Sequence, residues 1–434
     1  MKRKVKRSKS DWKAAYLLMS PALLLIFAIA IYPVLQTIYF SFFDYKLNDP
    51  TKSQTTLHYS IDLGRYLNSM PFLMSDIKNN ETKATGDIQE TLQKIDKRLA
   101  EIDNKIRKIT GDNYTKVNDI LNAYETPSDD IAVVSIDESV AVDLKETAKD
   151  VKDELTPLKD NKSLINIKKD IGLASSLNDA INEPNFIGLK HYKTYLQDPR
   201  MWSALLNTFV FTIISVFIEF VIGLAIALLI NKAFVGRGLI RATVLIPWAI
   251  PTAVSAMMWR YLYDGQSGIV AHFFEKIGLV DSMGTLLTTH LGAMFSIILS
   301  DVWKTTPYMA LLLLAGLQVI PNQLYEAAAI DGAGKWRQFI SITMPLLKLS
   351  ILVALLFRTL DAFRIFDLIF VLTGGGPANS TETISIYAYK VMFSQTDFGG
   401  GSALSVIVFI CVAIISMIFV KLLGSDLLPE GSKK

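Results

Sequence analysis

Apolar residues fall into six long runs: 14–43, 205–230, 241–259, 291–317, 346–372 and 403–423. Each is near the ~20 residues a helix needs to cross a bilayer. The first run is too long for a signal-peptide core and contains Pro21 and Pro33; it reads as a retained membrane helix. The region between the first two runs has a different period. Ile88, Leu92, Ile95, Leu99, Ile102, Ile106 and Ile109 follow a 4,3 alternation with charged residues between them. Ala141, Leu144, Ala148, Val151, Leu155 and Leu158 repeat the seam. Heptad spacing of this kind predicts two amphipathic helices. The Gly, Pro and Ser signals of 111–137 break the chain between them. A helical hairpin or small bundle with joined seams is expected; a solvated spacer is the alternative.

Composition sharpens this picture. Of 434 residues, 51% are hydrophobic and only 20% charged, and the mean hydropathy is +0.33. An ordinary soluble domain has about a quarter charged residues, so a simple soluble enzyme is excluded. The net charge of +3 hides a division. Residues 45–185 hold roughly 25 acidic and 19 basic side chains, and the basic excess lies in the remainder. That excess flanks the apolar runs instead of forming the polar basic surface of a nucleic-acid binder. Lys2, Arg3, Lys4, Lys6, Arg7 and Lys9 precede the first run; Lys232, Arg237 and Arg241, then Lys335 and Arg337, then Lys421, Lys433 and Lys434 mark alternate later junctions. The positive-inside rule puts these in the cytoplasm, with both termini, and turns 45–200, about 260–290 and 374–402 outward. The single Cys411 permits no internal disulfide, and the four histidines show no metal-ligand spacing.

The expected fold class is an all-α polytopic membrane protein with six transmembrane helices and an extracytoplasmic, coiled-coil-like helical insert. A basic cytoplasmic N-terminus (1–13) leads into the first span (14–43). The insert (46–184) follows, then a core with five spans (185–425) and a cytoplasmic tail (426–434). The core holds a cytoplasmic loop at 318–345. In it, Pro321 and Asn322 suit a helix start, the alanines after Tyr325 favour helix, and Gly332 suits a stop. Trp336, Phe339, Ile340 and Ile342 form a second amphipathic piece, and Pro345 marks the start of the next membrane helix. A helix–Gly–helix element between two spans has the form of a docking lever.

Glu326-Ala327-Ala328, then Gly332, Ile342, Met344 and Pro345 resemble the EAA loop of ABC importer permeases, with Met344 in place of the usual Leu. Residues 185–207, Asp-Val-Trp-Lys-Thr-Thr-Pro at 301–307 and Phe-Asp-Leu-Ile-Phe-Val-Leu-Thr-Gly-Gly-Gly-Pro at 366–377 are similar to the sugar-importing, MalF-like branch. The likeness covers 12–45 and 185–425, not 46–184. Maltose-type permeases also carry a large insert after an early span, but theirs is not heptad-rich. The resemblance implies a non-catalytic pore subunit paired with a second, MalG-like permease. An ATPase dimer of MalK type would bind ATP and Mg, and an extracytoplasmic sugar-binding protein would deliver di- or oligosaccharides of maltose, maltodextrin or trehalose type. Lipid is the remaining partner; no nucleic acid is. The implied roles are pairing with an ATPase residue for Glu326, close packing for Ala327 and Ala328, and the turn for Gly332. Trp336 and Phe339 fill the ATPase cleft in this reading. The chain hydrolyses no ATP itself: around Gly332 and Lys335 a phosphate loop needs Gly and Ser or Thr where Ala329 and Trp336 stand.

Charges inside spans are costly and mark candidate function. Arg358, Asp361, Arg364 and Asp367 alternate in sign at i,i+3. They form either a self-neutralising ladder or, for Asp361, Arg364 and Asp367 with Phe366 as a stacking face, a set of sugar ligands. In maltose-type permeases this helix lines the sugar site, though with Asn-rich residues absent here. Asp301, Trp303 and Lys304 raise the same choice, an Asp301–Lys304 pair being the structural version. Glu219 reads as a helix-contact or cavity residue, and 374–377 as an external turn. Other solutes such as glycerol phosphate, an ion-coupled transporter and a membrane sensor are the competing functions.

Overall fold

The computed structural model describes residues 9–161, 163–232 and 235–427. The basic residues from Lys2 to Arg7, and Lys433 and Lys434, lie outside the described residues. The chain divides into two compact units: Tyr39–Lys190 with Thr396–Gly400, and the remainder.

The first span is α1 (Lys9–Ile26) and α2 (Tyr32–Phe40), joined by a wider π-turn at Phe27–Ile31. The turn closes where the Tyr32 N–H bonds Phe27 O, one residue before Pro33. A proline ring collides with the carbonyl four residues back, and an extra residue in the turn relieves that collision.

The insert unit contains α3 (Met70–Glu81), α4 (Asp87–Thr110), α5 (Glu138–Leu155) and α6 (Ile167–Asn178). They pack in a closed ring, α3 on α4, α4 on α5, α5 on α6 and α6 on α3. Both heptad seams face the ring over most of their length: Leu92, Ile95, Leu99, Ile102 and Ile106 are buried, as are Ala141, Leu144, Ala148, Val151 and Leu155, while Ile88 and Leu158 are half-buried and Ile109, expected in the seam, is exposed at the end of α4. Arg98 pairs across the seam with Asp150 and Glu154, and Lys105 with Asp143. The helices carry further partners that the hairpin reading lacked. A short antiparallel sheet orders β1 (Ser60–Asp62) between β2 (Val133–Ser135) and β3 (Ile181–Asn182). The Tyr66 and Tyr114 hydroxyls both donate to Asp103. Asp170 is fully buried on α6; burial, with the Asp76 carboxylate beside it, pushes its carboxyl up to about 7.

The membrane unit continues with α7 (Pro199–Asn231), α8 (Arg237–Ala249), α9 (Thr252–Leu262) and α10 (His290–Gln318). Then come α11 (Asn322–Ile330), α12 (Lys335–Gln338), α13 (Met344–Phe363), α14 (Asp367–Leu372), α15 (Ile384–Tyr389) and α16 (Phe398–Leu427). Among the described residues five helices are long and apolar enough to cross a bilayer, and a sixth crossing requires α8 and α9, bent by 89°, to act as one. This is a multi-pass membrane architecture. The helix pair α7 and α10 forms its core. Their approach depends on Gly223, where a Cβ would sit 2.8 Å from Met309 Cγ.

Two expected boundaries move. The helix expected to start at Pro345 begins at Lys335 and runs through α12, a π-turn at Phe339–Thr343 and α13 without interruption. The Met344 N–H closes that turn on Phe339 O, so Pro345 follows a π-turn just as Pro33 does. The apolar run 346–372 is also not one helix. It ends at Phe363, Arg364 caps it, and α14 restarts at Asp367. Non-helical backbone at membrane depth requires a polar cavity or protein around it, and a cavity lies there.

Candidate functional site

The loop 318–345 presents an exposed, internally braced pair of helices. No side chain of α11 is buried; Glu326 and Ala327 are exposed, Ala328 is half-buried, and Gly332 and Pro345 are exposed. Gly332 has φ +78°. The Ala333 N–H bonds Ala328 O at 2.8 Å and the Gly332 N–H bonds Ala329 O at 3.1 Å. This paired closure ends a helix on a left-handed residue, which glycine adopts most cheaply. Trp336 is 73% exposed and stacks on Phe339, ring centroids 5.6 Å apart. Three residues overlooked in the sequence hold the element together. The Gln338 side chain, buried, donates to Ala333 O at 3.0 Å. The Tyr325 hydroxyl meets the Thr343 hydroxyl at 3.0 Å.

The intramembrane charges gather around Arg358, which is 1% exposed. Its guanidinium takes Glu219 in a two-point ion pair, Nε–Oε2 2.5 Å and Nη2–Oε1 2.9 Å. Nη2 also pairs with Asp301, and Nη1 with Asp361 at 3.1 Å. Ser215 donates to Asp301 at 2.5 Å, and Thr305 to Glu219 at 2.8 Å. The arrangement links α7, α10 and α13 and satisfies the carboxylates, which buried charge demands. The i,i+3 ladder therefore survives only in the Arg358–Asp361 contact. Arg364 instead donates to Leu360 O at 3.0 Å. The expected Asp301–Lys304 pair is not the main contact of either residue. Asp301 goes to Arg358, and the Lys304 ammonium donates to Ile250 O at 2.8 Å and Trp248 O at 3.4 Å. Those carbonyls are freed by the break between α8 and α9.

A cavity of about 390 Å3 opens beside the cluster, lined by Asp301, Lys304, Arg358, Asp361, Arg364, Phe366 and Asp367 with Trp248 and Thr252. Seven of the residues singled out in the sequence thus meet at one space. Trp303 is absent from its lining and packs edge-on against Trp259, ring centroids 5.5 Å apart. Phe366 stacks on Phe370 at 5.1 Å and also approaches Tyr389 at 4.9 Å. Glu219, Trp248 and Thr252 belong to this region through contacts between helices that no spacing in the chain reveals. Gly374 and Gly375, both at positive φ, make the turn expected at 374–377. Among the described residues no group of three or more His, Cys, Asp or Glu could hold a metal ion.

Residues 219–428 match the family described as "Binding-protein-dependent transport system inner membrane component". The trehalose/maltose transport system permease protein MalF of Thermococcus litoralis is 45% identical over 241 residues, covering 56% of this chain and 81% of that protein. The trehalose transport system permease protein SugA of Mycobacterium tuberculosis is 46% identical over 244 residues, 56% and 77% of the respective chains. A chain of a bacterial ABC transporter involved in import of the acidic polysaccharide alginate shares the fold, with 23% identity and a TM-score of 0.51 over 64% of this chain and 99% of that one. The insert lies outside the family match. On these grounds the chain belongs to the binding-protein-dependent transport system inner membrane component family and is homologous to sugar ABC transporter permeases.

Proposed function

We propose that this chain is the pore-forming permease subunit of an ATP-driven importer for di- or oligosaccharides of the maltose, maltodextrin or trehalose type. It works with a second permease, an ATPase dimer that binds ATP and Mg, and an external sugar-binding protein. Both termini lie in the cytoplasm. The observation that carries the reading is the exposed Glu326–Gly332 element, closed on a left-handed glycine and braced from Gln338. An exposed, stiff helix pair is what a docking lever needs. The relatives' names, which specify trehalose and maltose, support the substrate class.

In this reading Glu326 pairs with a basic ATPase residue, Ala327 and Ala328 permit close approach, and Trp336 and Phe339 fill the docking cleft. Closure of the ATPase then shifts the pore between two states, and ATP and the loaded binding protein favour the same one. Sugar hydroxyls are bound in the cavity by Asp361, Arg364 and Asp367 with Phe366 as the apolar face. Asp301 contributes through the Arg358 cluster, and Trp303 supports the wall from behind. The test is co-purification of the assembled transporter. Glu326→Ala and Gly332→Val are expected to lose the associated ATPase and sugar uptake together. Uptake by a preparation lacking any ATPase overturns the proposal.

A further inference from the structure

We propose that Tyr325 and Thr343 are positioning residues that lock the exposed α11 helix to the membrane helix, so that the two move as one body. This rests on the reading that the Glu326 element docks on an ATPase. Without such a link, that element would be free to pivot about Gly332, which has open space where a Cβ would stand. A lever that pivots at its own turn transmits no displacement. Two connections cross the turn. The Gln338 amide, which grips Ala333 O just after the glycine, also reaches back to Tyr325 O at 3.5 Å. The Tyr325 hydroxyl meets Thr343, which is 4% exposed and forms the last residue of the π-turn.

The second connection reaches further. Tyr325 immediately precedes Glu326, so whatever holds Glu326 pulls on Tyr325 within one residue. Thr343 sits on the helix whose other end carries Arg358. From position 343 to position 358 the helix rises roughly 22 Å, with regular hydrogen bonding through α13. A helix that stiff carries a shift at Thr343 to the ion cluster and to the cavity wall. The π-turn beneath Pro345 has lost one regular register of hydrogen bonds, so the helix yields there first. Bonding Tyr325 to the last residue of that turn places the load on the membrane side of the weak point. A connection to any residue between Lys335 and Phe339 would leave the weak turn in between. Neither hydroxyl is required to fold the loop, because the glycine closure and the Gln338 contact stand without them.

The experiment follows the cavity instead of a substrate. Thr252→Cys, at the cavity lining, is introduced with Cys411→Ser in the complete transporter, and its reaction with a membrane-impermeant thiol reagent is compared without nucleotide and with ATP plus vanadate. Tyr325→Phe, Thr343→Val, their combination and Thr343→Ser are then added. In each of the Phe and Val variants the ATPase is expected to remain bound. The nucleotide-dependent change in labelling should shrink by about threefold or more, and the double variant should match either single one. Thr343→Ser, which keeps the hydroxyl, should restore it. An unchanged response in the double variant, additive losses, or a Ser variant as impaired as Val overturns the proposal. If the parent transporter carries no ATPase or shows no nucleotide response, the underlying docking reading fails instead.

Discussion

Arg358 and Glu219 form a two-point ion pair between α13 and α7, buried to 1% and 0% exposure. Removing one partner strands the other charge, which costs about 3–5 kcal/mol where burial is complete. Arg358→Met is therefore expected to lower the yield and melting temperature of the purified protein sharply. Glu219→Gln keeps a hydrogen bond and should be milder. Replacing both by leucine should recover part of the loss, since the Glu219 charge goes with its partner while Asp301, which also pairs with Arg358, keeps only the Ser215 hydroxyl. Thermal unfolding in detergent measures all three; a double variant as unstable as Arg358→Met refutes the account.

Gly332 makes a separate prediction. At φ +78° an L-residue is strained by about 1–2 kcal/mol. Nothing lies within 4 Å of a Cβ there, so the penalty is conformational and not steric. Gly332→Asn, whose side chain tolerates this region, should retain more transport than Gly332→Val. Equal loss in both indicates that the glycine is needed for contact instead of for its backbone.

The cavity residues separate binding from assembly. Arg364→Ala and Asp367→Ala are both exposed changes at the lining. Each should raise the half-saturating sugar concentration while leaving ATPase association intact. Trp303→Phe, away from the lining, should leave that concentration unchanged. Uptake titrations with labelled maltose and trehalose distinguish these outcomes.

Asp170 gives the insert a pH signature. Its folded value is about 7, against about 3.9 for an exposed aspartate. Between these values the folded state holds a proton that the unfolded state has released. Stability therefore falls as pH rises from about 4 to about 7 and levels off above. Asp170→Asn should flatten this slope. Hydrogen exchange of α3 and α6 across that range, corrected for intrinsic rate, provides the check.

The legible parts of this molecule were those written in short-range order. The heptads of α4 and α5 mark their buried faces from Leu92 to Ile106 and from Ala141 to Leu155, because a helix repeats its environment every three or four positions; at the end of the first seam Ile109 is exposed. The Gly332 closure was visible for the same reason. The acceptors of Lys304, Trp248 O and Ile250 O, are invisible in the sequence because they exist only once α8 and α9 break, so spacing offers Asp301 as a partner instead. The partner of Arg358 was likewise hidden: Asp361 lies three residues away, but Glu219 lies on a helix far back in the chain. The sheet of β1, β2 and β3 escaped notice because strands of two or three residues have no period to read.

The insert begins and ends at one narrow seam. Phe43 bridges Phe186, and the Asp44 N–H bonds Asn185 O at 2.8 Å, so the chain departs and returns side by side. A segment with adjoining ends and its own closed ring of helices is a cassette. Joining the chain across this seam would have to span only the distance of one hydrogen bond, so the segment between can vary in length without pulling its two ends apart.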